Sequence, residues 1–183
     1  YVMANQYYYA HYFPANFIFK PFIMLSEIFL FFYWLNNLNL FKEFKNQNII
    51  SNFNKKFFYF GVLSCIFLIL HASFLGLDID SKLFQKMRKL IIILFILFEI
   101  LAQFFLVKNL LKIKQNIKNY INSLMVTLKL FFILIVFITT IIIFSFLVFT
   151  DMSTSFKNIA EWNYFSILLI YYLLSSILWK KIN

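Results

Sequence analysis

Glycine and proline are nearly missing from this chain: two of each in 183 residues. With only Gly61 and Gly76, no glycine-rich loop is available to cradle a phosphate. Smooth, bulky helices are favoured over the Gly- and Pro-interrupted spans that transporters often use. The single cysteine, Cys65, excludes an internal disulfide. The only histidines are His11 and His71, and no Cys, His and carboxylate cluster has the spacing of a zinc or iron–sulfur site. A bis-histidine haem needs two ligands at similar depth, and His11 precedes the first apolar run. No nucleophile with an oriented base is visible. Catalysis by this chain alone is therefore not expected. No catalytic or metal-ligating residue is assigned, and no cofactor is expected beyond a structural phospholipid.

Acids are also scarce. Seven Asp and Glu stand against 17 basic residues, for a net charge of +10, and Arg88 is the only arginine. Lysines that flank membrane spans and meet anionic lipid account for this charge, so nucleic acid is not an expected partner. The abundance of Phe, Ile, Asn, Lys and Tyr, with so little Gly, Arg and Pro, also matches an AT-biased genome.

What is present is apolar. The chain is 63% hydrophobic, where a soluble domain averages about 45–50%, and its mean hydropathy is +0.81. The excess comes in blocks about twenty residues long, as bilayer-spanning helices require, and does not alternate as strands do. The expected class is an all-α integral membrane protein of one domain with about five transmembrane helices. The spans are expected at 17–36, 57–77, 89–107, 125–150 and 164–179. Pro21 is expected in the first turn or so of span one, where a missing N–H costs little. Trp162 and Trp179 bracket the last span as interfacial anchors do.

Two connecting segments have their own pattern. In KNLLKIKQNIKNYINSLM, residues 108–125, Leu110, Ile113, Ile117, Tyr120, Ile121 and Leu124 recur at helical spacing. This reads as one interfacial amphipathic helix. FKEFKNQNIISNFNKK, 41–56, reads as a polar connector or short surface helix. In 151–165, Asp151 or Ser153 is placed to cap a short helix ending near Trp162. With five spans, the lysines of 41–56, of 108–118 and of the tail share one side. The positive-inside rule then puts the C-terminus inside and the N-terminus outside.

The residues that invite a functional reading are ionisable groups within the spans. Glu27 and Glu99 fall near the centres of spans one and three, where a charge costs several kcal/mol. Either the carboxyl stays neutral, or it faces a partner or a wet cavity. Candidate partners are His71 in span two, Lys129 in span four and Gln103, one turn beyond Glu99. Ser64, Thr139 and Thr140 add hydroxyls. One reading makes Glu27, His71, Glu99, Gln103 and Lys129 a polar seam that passes protons or ions. The other gives them packing roles, with Lys129 snorkelling to the interface. Near the start, YYYAHYF is uncharged and aromatic. Tyr7, Tyr8, Tyr9, His11 and Tyr12 form a candidate docking surface, with Trp162 a further member.

In its Phe-, Ile-, Asn- and Lys-rich, short, multi-pass character the chain resembles organelle-encoded hydrophobic subunits of respiratory complexes. Locally, YFGVLSCIFLIL, 59–70, resembles the tyrosine-x-glycine helix of the sixth membrane-arm subunit of NADH dehydrogenase, through Tyr59, Gly61 and Phe67. That family has five spans, with the glycine near a bulged helix on the proton path. Its hydrophobic span just before this helix is replaced here by polar 41–56. AEWNYF, 160–165, is similar to the start of the last helix in six-span proteins related to lysosomal and lipid-anchor-remodelling factors. The resemblances imply a non-catalytic subunit of a hetero-oligomeric, energy-transducing complex. Its partners would be other membrane subunits and lipid. Its site would be the mitochondrial inner membrane, or alternatively a bacterial plasma membrane.

Overall fold

Inside a bilayer every backbone N–H and C=O must be satisfied by the chain itself, which leaves helices or closed barrels. The computed structural model describes the backbone of residues 15–74, 77, 81–149 and 154–179. Five helices fill those residues, with no strand among them: α1 Ala15–Asn46, α2 Lys56–Phe74, α3 Lys82–Ile113, α4 Ser123–Phe149 and α5 Thr154–Ile177. Four are long and apolar enough to cross a membrane: α1 from Lys20, α2, α3, and α4 through Ile142. The protein is an all-α membrane protein. Tyr7, Tyr8, Tyr9, His11, Tyr12, Asp151 and Ser153 lie outside the described residues, as does the side chain of Trp162.

The helices overrun the expected spans. The 32-residue α1 is about 48 Å long at 1.5 Å per residue, well beyond the ~30 Å hydrocarbon core. It continues through the polar stretch to Asn46, because Leu38, Phe41 and Phe44 keep one face buried. Pro21 stands in the second turn, so its missing N–H leaves the Phe17 carbonyl without its intrahelical bond. The short helix expected before Trp162 and the last span are one continuous helix, α5.

The chain divides into two compact units: Tyr1–Glu43 with Lys55–Ala102, and Phe44–Asn54 with Gln103–Asn183. No linker separates them, since α1 and α3 each carry residues of both. In the first unit, α1 buries Glu27, Trp34, Leu38 and Phe41, one stripe at helical spacing. From α2 it buries Phe57, Gly61, Ser64, Cys65 and Ala72. From α3 it buries Ile91, Phe95, Glu99 and Ala102. The α2 stripe is mostly small residues, which lets backbones approach closely. A Cβ built at Gly61 would overlap the Trp34 indole. Phe57 lies 5.4 Å from the Phe41 ring and 6.4 Å from Trp34. Phe98 stacks on Phe67 at 5.4 Å, and each such pair adds about 0.5–1.5 kcal/mol.

The second unit begins where α1 ends. Asn48 has φ 58°. Asn48 N–H donates to Lys45 O at 3.0 Å and Ile49 N–H to Phe44 O at 2.9 Å. This is a Schellman closure, with asparagine in the left-handed position that glycine usually takes. Asn109 donates to Asn54 O at 2.7 Å and accepts from Asn54 N–H at 3.2 Å. Asn116 donates to Ile49 O at 2.9 Å. The expected amphipathic helix is not one regular helix. Residues 108–113 finish α3, 114–120 run as successive turns, and Ile121 makes an isolated bridge to Trp179. The apolar stripe is nonetheless inward, with Leu110, Ile113, Ile117 and Ile121 buried, while Leu124 is exposed. Asn122 N–H leaves the local backbone and donates to Leu178 O at 2.9 Å, and Asn122 Oδ1 caps α4 by accepting from Leu124 N–H at 3.1 Å. Phe44 packs on Tyr120 at 5.7 Å and on Trp179 at 6.2 Å, so Trp179 is a packed residue as well as a span end.

Candidate functional site

Among the described residues, both units bury polar side chains between their helices. In the first, the α2 stripe sets Ser64 one turn beyond Gly61, facing α3. Ser64 Oγ lies 2.8 Å from Glu99 Oε2 and 2.8 Å from Gly61 O. Glu99 and Ser64 are both 0% exposed, so this carboxyl is sealed from the surface of the protein. Cys65, next on the same helix, is buried beside Ser64. Glu27 is buried on α1, two turns before Trp34 and on the same stripe. Glu27 Oε1 and Trp34 Nε1 are buried without a hydrogen-bond partner among the described residues.

His71 is half-buried near the end of α2. Its Nδ1 is likewise buried without a hydrogen-bond partner among the described residues. Phe74 and Phe84 meet edge to face at 5.6 Å in the same unit. Glu27, Glu99 and His71, three of the five residues expected in one seam, therefore belong to one unit. Gln103 and Lys129 belong to the other. Thr139 and Thr140 spend their hydroxyls on their own helix, at the carbonyls of Ile135 and Val136.

In the second unit α4 buries Val126, Lys129, Ile133 and Val136 against α5, which buries Tyr171 and Ser175. Lys129 is fully buried and does not snorkel. Its Nζ donates to Ser175 Oγ and sits 4.2 Å from the centroid of the Tyr171 ring. Ser175 Oγ–H donates in turn to Tyr171 O at 3.2 Å. A desolvated ammonium over an aromatic face is worth about 2 kcal/mol, which offsets part of the cost of burying it.

Sequence reading picked out the buried ionisable groups but not these partners. Tyr171 and Ser175 are one turn apart on α5 and 46 positions from Lys129 at the serine. Their i, i+4 spacing puts them on one face, which was the available signal. Around Gly61 the α2 helix is regular from Lys56 to Phe74, with no bulge. The glycine accommodates Trp34. Among the described residues no three His, Cys, Asp or Glu are grouped to hold a metal ion. No family model, curated protein or solved structure matches the sequence.

Proposed function

We propose that the chain is a non-catalytic, multi-pass subunit of a larger membrane complex, and that it packs against core subunits and lipid. The observation that carries this is Glu99: the acid nearest mid-span is sealed inside its own unit and bonded to Ser64. Such a group ties helices together, whereas a conducting carboxyl needs a wet, connected path. Large apolar side chains remain uncovered along α1, among them Phe22, Phe29 and Phe32, and along α4, among them Phe131 and Ile138. Lipid and neighbouring subunits would cover them. In the second unit, the contacts from Asn116 to Ile49 and from Ile121 to Trp179 bring the lysine-bearing connectors and Trp179 together. Anionic lipid headgroups are the natural partners of those lysines.

The finer assignment is to an energy-transducing, respiratory complex of the mitochondrial inner membrane, with a bacterial plasma membrane as the alternative. It is supported by composition and by the likeness of residues 59–70. Gentle detergent extraction, a native gel and mass spectrometry of the band test it. Co-migration with a large complex is expected, and its neighbours name the process. Migration alone would sink the proposal.

The second reading is conduction through the first unit. It is favoured by Glu27 Oε1 and His71 Nδ1, buried atoms without a hydrogen bond among the described residues. Under the subunit reading Glu99→Gln leaves coupled proton transfer intact. Loss of transfer in an assembled complex would favour conduction instead.

A further inference from the structure

Ser64 has one hydroxyl proton and two oxygen neighbours at 2.8 Å, Gly61 O and Glu99 Oε2. The carbonyl only accepts. An ionised carboxylate also only accepts. With both as acceptors, one of the two contacts would be a pair of oxygens at hydrogen-bond distance with no hydrogen between them. That arrangement is repulsive, and at a site 0% exposed no solvent relieves it. A second proton removes the conflict, and only the carboxyl can supply it.

We infer that Glu99 is a neutral carboxylic acid that donates its proton to Ser64 Oγ, while Ser64 donates to Gly61 O. The acid thereby joins α3 to the backbone of α2 through a directed two-step chain. Along this chain Glu99 Oε2 gives a proton, the hydroxyl takes one and gives one, and the carbonyl takes one. The chain ends at the same residue that Trp34 of α1 covers, so the three helices of the unit meet around one fixed proton. Glu99 is a positioning residue in this account. The argument depends on the proton count at Ser64 and holds whether or not the chain joins a complex.

Infrared spectroscopy of the full chain at neutral pH, with glutamate carrying carbon-13 in its carboxyl, reads this proton. The expected spectrum has an isotope-shifted carboxylic-acid carbonyl band. That band persists in Glu27→Gln, disappears in Glu99→Gln and moves in Ser64→Ala, where the acid has lost its acceptor. Should Glu99→Gln not fold, the band's persistence in Glu27→Gln and its shift in Ser64→Ala still assign it. Carboxylate bands alone, or an acid band that vanishes with Glu27, would overturn the inference.

Discussion

At the scale of single residues, the sharpest fit is Trp34 on Gly61. Gly61→Ala places a methyl inside the indole, and overpacking of this kind costs about 1–3 kcal/mol. A lowered melting temperature in detergent is the expected result, partly restored by adding Trp34→Leu. An unchanged melt would mean the helices do not meet there. Around Lys129 the expected order of effects is the reverse of what charge alone suggests. Ser175→Ala strips the buried ammonium of its hydroxyl acceptor, and an unsatisfied buried group costs about 1–3 kcal/mol. Lys129→Met removes the ammonium and its need for partners together, so it is neutral or stabilising. Melting both variants side by side checks the sign. Glu27, Glu99 and Lys129 stand out in the sequence, because ionisable groups in apolar runs are costly wherever they sit. Ser64, which Glu99 touches, is among the hydroxyls the sequence offers, but the partners of Lys129 are not legible there. Lys129 finds Tyr171 and Ser175 through the packing of α4 on α5, and no local pattern encodes that meeting.

Caps and turns decide matters at the scale of the element. Asn48 holds a left-handed backbone, which costs most residues with a Cβ roughly 1–2 kcal/mol and costs glycine nothing. Asn48→Gly should therefore melt at or above the parent, and Asn48→Ala below it. Equal melting of the two would show that the α1 closure does not depend on this residue. Asn122→Ala loses the α4 cap, for about 1 kcal/mol, readable as faster amide exchange in the first turn of α4. Helix existence and rough position were readable from runs of apolar residues. The ends were not. The α1 helix runs to Asn46 because tertiary burial of Phe41 and Phe44 outweighs a polar local sequence. Residues 114–120 read as helix by periodicity, yet they run as turns, and the Asn122 N–H then bonds Leu178 O outside the local chain. Four positions of the stripe are buried although the backbone beneath them is not one regular helix and Leu124 is exposed, since burial periodicity survives in irregular structure.

For the whole molecule, the division into two units is not legible in the sequence, because α1 and α3 are shared between them. Sidedness gives the test at this scale. With Cys65 replaced by alanine, single cysteines at Asn52 and Asn119 should react with an impermeant maleimide from the same side of the membrane. A cysteine at Ser81 should react from the other side. Reaction of Asn52 and Asn119 from opposite sides would end the topology. The connector between α1 and α2 has one more consequence. Its amide and carbonyl groups are engaged by Asn109 and Asn116 and by the closure at Asn48. A protease must draw several residues into an extended strand before it can cut, and here that means undoing those bonds first. Although it is exposed and flanked by lysines at 45 and 55, this loop should outlast ordinary surface loops under trypsin, and the amide of Asn54 should exchange as slowly as one inside a helix.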